Sequence, residues 1–213
     1  ATLSRGEMLR LALMASENRA SSALARHYPG GTAAFVAAMN DKAVALGMRR
    51  TRFADATGLS ADNVSTANDL ARMVAAASQY PLIREYSTTA SYFVEVQPSG
   101  RMLGFNNSNA LVRDEHAGWD IVLSKTGYIR EAGKCLVMLA NIASRPVVIV
   151  LLDSIGKVAR MGAAQRVKHW LETGEALPPP VAKRAVLKPA PKAGTSRAPV
   201  RVKYANGNKA GRG

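Results

Sequence analysis

The residues best suited to chemistry are Lys125, Thr126 and Gly127, which follow one another at the end of a strand-like segment. An ammonium group and a hydroxyl group directed at the same place offer a cation and a hydrogen-bond donor. The glycine removes a side chain where another backbone could approach closely. The triplet therefore predicts a site for the carboxylate of a peptide, although such a triplet also recurs by chance.

Three segments rich in strand-forming residues lie around the triplet, at residues 119–126, 134–141 and 146–153. The connections between them are short, so neighbouring strands should pair antiparallel as a meander. Residues 155–173 follow with apolar side chains at helical intervals, Trp170 among them, which predicts a helix packed on the sheet.

The N-terminal half of the chain is predicted to be mostly helical. Apolar residues at helical spacing predict helices at residues 5–15, 20–28, 32–46 and 67–79. Ser4 and Glu7 have the spacing of a capping box, and Pro81 is predicted to stop the fourth helix. A long loop at residues 48–64 and a hairpin at residues 91–105 complete this half.

A second group of candidate residues, Ser16, Glu17 and Asn18, falls in the short break between the first two helices. These residue types prefer helix caps and turns. Taken alone, Ser16 and Asn18 are therefore explained by capping as well as by a functional role, and the residues themselves leave both interpretations open.

Length and charge suggest one folded domain with a tail. The chain has 213 residues and mixed helical and strand patterns, which predicts an α+β protein. Its net charge of +14 is uneven, because nine basic residues and no acidic residue occur from Pro178 onward. We predict a domain at residues 1–174 and a disordered basic tail at residues 175–213. Such a tail attracts anionic polymers, but its single aromatic residue, Tyr204, argues against specific nucleic-acid recognition.

Other features narrow the classes of protein. Cys135 is the single cysteine, so an internal disulfide is impossible, and its place in a strand predicts a buried side chain. The histidines are far apart, and we predict neither a metal nor a cofactor. No apolar run reaches the roughly 18 residues of a transmembrane helix. The first residues lack the pattern of a secretory signal, so we expect a cytosolic start or a start inside a longer precursor.

The two groups of candidate residues, Ser16-Glu17-Asn18 and Lys125-Thr126-Gly127, occur in the order found in active-site serine penicillin-binding proteins and β-lactamases. Their flanks, including RFADATGLS and SKTGYIREAGKCLVMLA, resemble the low-molecular-weight D-alanyl-D-alanine endopeptidase and carboxypeptidase group. The similarity runs from about Ser4 to Gly174. It implies a truncated serine β-lactamase/DD-peptidase-like domain with a helical part, an antiparallel sheet and a packed C-terminal helix.

The resemblance also implies roles for individual residues. In the family, a serine in the motif Ser-x-x-Lys is acylated by the D-Ala-D-Ala bond or the cross-link of peptidoglycan, and water then releases the product. By this likeness Ser16 would pass a proton to the leaving amine, and Asn18 would hold the lysine of that motif and the substrate backbone. Lys125 and Thr126 would bind the substrate carboxylate, and Gly127 would leave room for the peptide along the strand. The partners implied are peptidoglycan peptides and β-lactams, in the periplasm.

The chain departs from the family pattern because no Ser-x-x-Lys precedes Ser16. The one literal match, Ser154-Ile155-Gly156-Lys157, follows the third strand, where helix capping by Ser154 explains it. We therefore expect the C-terminal part of a longer enzyme that forms no acyl-enzyme as given. We also expect reduced stability, with sheet edge and apolar surface left uncovered.

Two other classes of protein compete with a peptidase. A β-lactamase needs a deacylating carboxylate, and the loop at residues 48–64 offers only Asp55 and Asp62 and no glutamate, which disfavours that class. A non-catalytic peptidoglycan-binding or scaffolding protein would keep Lys125 and Thr126 for a peptide carboxylate and would use the tail for an anionic polymer. The sequence does not distinguish an endopeptidase from a carboxypeptidase.

Overall fold

The computed structural model describes residues 2–156 and 159–178. Five helices, a hairpin and a short sixth helix come first, and a three-stranded sheet and a long helix follow. The helices are α1 (Arg5–Met14), α2 (Asn18–Arg26), α3 (Gly31–Ala45), α4 (Ala67–Ala77), α5 (Pro81–Ser87), α6 (Ala110–Arg113) and α7 (Ala159–Thr173). The strands are β1 (Ser91–Val96), β2 (Arg101–Asn106), β3 (Asp120–Ile129), β4 (Gly133–Ile142) and β5 (Arg145–Ser154). The predicted tail lies outside the described residues from residue 179 onward and stays a prediction.

The predicted meander is confirmed: β3, β4 and β5 are neighbours in that order and pair antiparallel. Strand β3 runs three residues beyond the predicted end at Thr126, so the triplet lies inside the strand and not at its end. In the register, Lys125 faces Val137, Thr126 faces Leu136 and Gly127 faces Cys135. A register shift between Ile121 and Leu123 precedes the triplet and leaves its pairing regular.

Local signals explain where several helices begin and end. At the start of α1, the Ser4 side chain accepts from the backbone N–H of Glu7 at 3.1 Å, and the Glu7 carboxylate accepts from the N–H of Ser4 at 2.7 Å. This is the predicted capping box. Helix α3 ends before Gly47, whose φ of 71° is the left-handed conformation that glycine adopts readily.

Other sequence predictions were wrong. Pro81 does not only end α4: it occupies the first turn of a further helix, α5, where its missing N–H costs nothing. Ser154 is the last residue of β5 and pairs with Lys134, whereas α7 begins at Ala159, so Ser154 is not the cap of that helix. Trp170 is 55% exposed and does not join the apolar face of α7.

Two apolar clusters hold the elements together. One joins α6, the sheet and α7, because alternate residues of β4 point towards the helix. Its buried members are Leu111, Leu136, Met138, Ala140, Ile142, Ile149 and Ala164. The other joins α1 and α2 to the hairpin through Leu11, Met14, Ala20 and Val94. The end of α1 is thereby fixed in the core, since Met14 is fully buried.

Candidate active site

A cavity of about 950 Å³ contains residues from both halves of the chain. The connection between α1 and α2, the loop after residue 52 and strand β3 all contribute to its walls. Every candidate residue from the sequence lines it: Ser16, Asn18, Lys125, Thr126 and Gly127. Two groups more than a hundred residues apart in the chain are therefore brought to one place, as the interpretation of a shared site predicts.

Ser16 lies in the break between α1 and α2 with φ of 56°, a left-handed conformation that is unfavourable for a residue with a side chain. The N-cap of α2 is Glu17, whose carboxylate accepts from the backbone N–H of Arg19 at 3.0 Å. The Ser16 hydroxyl instead accepts a hydrogen bond from Lys125 Nζ and lies 3.4 Å from the carbonyl oxygen of Thr126. Capping therefore does not explain Ser16, and Asn18 is the first residue of the helix and not its cap.

Two hydrogen-bond acceptors hold the ammonium group of Lys125 in the cavity. Its Nζ donates to Ser16 Oγ and, at 2.8 Å, to the carbonyl oxygen of Thr126. Burial, together with the smaller effect of the positive charge of Arg160, lowers the pKa of Lys125 to about 8. The ammonium group is therefore charged at neutral pH but poorly solvated, which suits the binding of an anion or the transfer of a proton.

Thr126 departs from the sequence prediction in its direction. Successive side chains of a strand point to opposite faces, so Thr126 shares a face with Leu136 and Lys125 shares the other with Val137. The prediction that the two polar groups are directed at the same place was therefore wrong. Thr126 is buried and its hydroxyl donates to Ser108 Oγ at 2.7 Å, while its carbonyl oxygen accepts from Lys125 Nζ and from the Ser16 hydroxyl.

Among the residues that the structure describes, no neighbour of Gly127 requires a glycine. A Cβ built there would meet only Cys135 Cβ at 3.7 Å, an ordinary contact distance. Cys135 itself is partly exposed and lines the cavity, so the prediction of a buried cysteine was wrong. Space beside Gly127 is thus left open on the cavity side.

Arg160 is a site residue that the sequence did not reveal. From the first turn of α7, its Nη1 donates to the carbonyl oxygens of Gly127 and Cys135, both at 3.2 Å. Burial lowers the pKa of Arg160. It adds a second cation to the wall that contains Lys125. Helical periodicity predicts only that Arg160 lies on a helix. No local sequence pattern predicts its contact with Gly127, which is 33 residues earlier in the chain.

The far wall of the cavity is a loop with its own hydrogen bonds. Burial alone would raise the pKa of Asp55, but donation from Thr57, Asn63 and the N–H groups of Gly58 and Leu59 outweighs it and lowers the pKa. These donors occupy the carboxylate, which makes Asp55 a structural anchor and a poor base for activating water.

Asn40 ties this loop to α3. Its amide nitrogen donates to the carbonyl oxygen of Phe53 at 2.8 Å, and its oxygen accepts from the N–H of Phe53 at 2.8 Å. Phe53 and Asp55 both line the cavity, so the loop is held in place before any ligand arrives. Within residues 2–156 and 159–178, no group of three His, Cys, Asp or Glu residues could hold a metal ion.

Comparison with known proteins assigns the class. A family model described as D-alanyl-D-alanine carboxypeptidase matches residues 1–156. The chain is 50% identical over 183 residues to the D-alanyl-D-alanine endopeptidase of Pseudomonas aeruginosa and 48% identical over 180 residues to that of Escherichia coli. These matches cover 86% and 84% of the chain but only 58% and 57% of the relatives.

Solved structures agree on the fold. A D-alanyl-D-alanine carboxypeptidase from Mycobacterium tuberculosis matches with a TM-score of 0.65 and 28% identity, over 73% of this chain and 58% of that one. A mutant of the DD-transpeptidase of Streptomyces K15 matches with a TM-score of 0.71 and 26% identity, over 79% and 67%. The architecture is the α+β serine β-lactamase/DD-peptidase fold, truncated relative to these structures. The chain belongs to the D-alanyl-D-alanine carboxypeptidase family.

Proposed function

We propose that the chain carries the substrate-carboxylate and proton-relay part of a serine-type D-Ala-D-Ala peptidase that acts on peptidoglycan peptides. The observation that carries this proposal is the contact of Lys125 Nζ with Ser16 Oγ at the wall of one cavity. Lys125 supplies positive charge for the carboxylate of the peptide, and Ser16 is placed to exchange a proton with it. Asn18 and Gly127 line the same cavity, where an amide donor and an open strand edge suit an extended peptide.

The hydroxyl of Thr126 takes a different part in this proposal from the one its residue type suggests. It donates to Ser108, so it holds the strand in place, while Arg160 joins Lys125 as the second cation near the peptide carboxylate. Two cations and an open strand edge at Gly127 favour a ligand with a terminal carboxylate over a neutral one.

We further propose that this chain alone forms no acyl-enzyme, because no Ser-x-x-Lys precedes Ser16. Ser154 ends strand β5 and is absent from the lining of the cavity that contains Ser16 and Lys125. The acylated serine of the reaction would then come from sequence that this chain does not contain. A peptide-binding protein without hydrolytic activity is the alternative, and the same cavity would serve it.

Binding of diacetyl-L-lysyl-D-alanyl-D-alanine to the 213-residue chain tests the first proposal. Chemical-shift titration should give tighter binding for the free acid than for the C-terminal amide. Lys125→Met should lower that preference by about tenfold, since a hydrogen bond to a charged group contributes about 1.5–3 kcal/mol. Lys42→Met, on the exposed surface of α3, is the matched control and should leave the preference unchanged. Equal binding of acid and amide by the wild type would refute the carboxylate site.

Labelling with fluorescent penicillin tests the second proposal. We expect no adduct on this chain, located or excluded by mass spectrometry. An adduct at Ser154 would show that the motif after β5 is the nucleophile, and an adduct at another serine would refute the assignment of roles. Labelling of a form extended at its N-terminus, but not of this chain, would favour a peptidase over the non-catalytic alternative.

The proposed substrate implies a periplasmic location, where peptidoglycan is found. Among the helices that the structure describes, none has the length and apolar character needed to cross a membrane. Contact of the basic tail with an anionic wall polymer remains a separate prediction, tested by the loss of salt-sensitive peptidoglycan binding when residues 179–213 are removed.

A further inference from the structure

Ser108 lies where the helical part and the sheet meet behind the cavity. Its backbone N–H donates to the carbonyl oxygen of Met14 at 2.9 Å, and its hydroxyl lies 3.3 Å from the same oxygen. The hydroxyl also accepts from Thr126 Oγ1 at 2.7 Å. A chain of hydrogen bonds therefore runs from strand β3 through Ser108 to the last residue of α1.

This chain of hydrogen bonds fixes the two partners of the central contact. Met14 is fully buried and comes two residues before Ser16, so the position of Met14 sets where the Ser16 hydroxyl lies. Thr126 comes directly after Lys125, and its carbonyl oxygen accepts from Lys125 Nζ at 2.8 Å. Thr126 is thus held at its hydroxyl by Ser108 and at its carbonyl by the residues of the site.

The segment that carries Ser108 is held in place by buried and partly buried hydrogen bonds. Asn107 is 3% exposed, and its amide nitrogen donates to the carbonyl oxygens of Ser87 and Thr89, both at 2.9 Å. Its oxygen accepts from the N–H of Asn109, whose own side chain accepts from the N–H of Leu111. Because hydrogen bonds hold this segment, the Ser108 hydroxyl can fix the distance between strand β3 and the end of α1.

We propose that Ser108 is a positioning residue, which holds strand β3 against the end of α1 and so maintains the contact between Ser16 and Lys125. It does not line the cavity and acts through Thr126 and Met14. The inference rests on the proposed function, since it concerns the same pair of residues. It adds a residue to the site that neither motif contains.

The test compares Ser108→Ala with Ser108→Thr in the 213-residue chain. The Ala variant removes the bridging hydroxyl, and the Thr variant keeps it. The first measurement is the pKa of Lys125, determined by an NMR titration of the lysine side chain. Loss of the bridge should let water reach Lys125 and raise its pKa from about 8 by one unit or more towards its ordinary value. Ser108→Thr should retain the lowered pKa.

Other charges around Lys125 are kept constant in this comparison. The charged side chains that line the same cavity are Asp55, Glu131, Asp153 and Arg160. None is changed by either variant. Thr126→Val provides a second route to the same loss, because it removes the other hydroxyl of the bridge. Its effect on Lys125 should not add to that of Ser108→Ala, since both break one connection.

The second measurement is the preference for the acid over the amide form of diacetyl-L-lysyl-D-alanyl-D-alanine. Ser108→Ala should reduce it several-fold, and Ser108→Thr should restore it. If the wild type prefers the acid and Ser108→Ala keeps both the preference and the lowered pKa of Lys125, the positioning role is refuted while the carboxylate site stands. If the wild type has no preference, the carboxylate site fails, and the pKa comparison alone decides the role of Ser108. A pKa near 10.5 for Lys125 in the wild type would also overturn the inference.

Discussion

Lys125 should make a contribution to the free energy of unfolding that changes with pH. The pKa of Lys125 is lowered from 10.5 to about 8 in the fold, chiefly by burial. Below pH 8 the folded chain must keep a poorly solvated charge that the unfolded chain keeps in water. Between about pH 8 and 10.5 the unfolded state binds more protons at this residue, so the contribution of Lys125 to the free energy of unfolding rises with pH.

The size of the effect follows from the shift. Each pKa unit corresponds to about 1.4 kcal/mol, so the full penalty is about 3 kcal/mol, of which about 2 kcal/mol should be relieved between pH 7 and pH 9.5. Replacement of Lys125 by methionine removes the titrating group and keeps a similar shape. The free energy of unfolding of wild type should therefore rise by about 2 kcal/mol relative to Lys125→Met across that range.

Urea unfolding of both proteins at several pH values measures this difference, and other titrating groups cancel because both proteins share them. Lys42→Met is the matched control, since Lys42 is exposed on α3, and it should show no such relative change. A pH-independent difference between wild type and Lys125→Met would refute the argument, because it would mean that burial in the cavity does not perturb the ammonium group.

Three further predictions use other parts of the structure. Arg160→Gln should raise the pKa of Lys125, measured by NMR titration, because a neighbouring positive charge is removed; an unchanged pKa would contradict it. Ser16→Gly should be more stable than Ser16→Ala by about 1 kcal/mol in urea, because both lack the hydroxyl but only glycine is unstrained at φ of 56°. Met138→Ala should cost about 2–5 kcal/mol of unfolding free energy, whereas Val44→Ala, at a site 77% exposed, should cost less than about 0.5 kcal/mol; similar losses would place Met138 outside the core.

Much of the fold could be predicted because its signals are local. Strand-forming runs with short connections defined the meander, and the capping box at Ser4 defined the start of α1. The failures were also local in origin. Pro81 predicts the end of α4, but proline is equally favourable in the first turn of a helix, and the sequence contains no signal that chooses between the two.

The sequence predicted residues that line one cavity in the fold, but not how their side chains are arranged there. Strict alternation along a strand implies that Lys125 and Thr126 point to opposite faces, so this part of the arrangement follows from the sequence. The contacts of Arg160 and Ser108 with the triplet do not, because they depend on how α7 and the segment after β2 pack on β3. The pattern of side chains along a helix or strand predicts which face is buried. It does not predict how two helices or strands pack together, on which the contacts of Arg160 and Ser108 depend.

Several features of the cavity oppose the stability of the fold and have one common explanation. Ser16 adopts an unfavourable backbone conformation, and Lys125 and Arg160 bring two positive charges to one wall. In the described part of the chain, Lys125 Nζ and Arg160 Nη1 donate to neutral hydroxyl and carbonyl oxygens, the buried Nε of Arg160 has no hydrogen-bond partner, and neither cation forms a salt bridge. Such features persist only where surrounding contacts impose them, as the Asn107 segment and the core around Met14 do here. A bound carboxylate would relieve the repulsion between the cations, so the same anion that the site is proposed to recognise should also stabilise the fold.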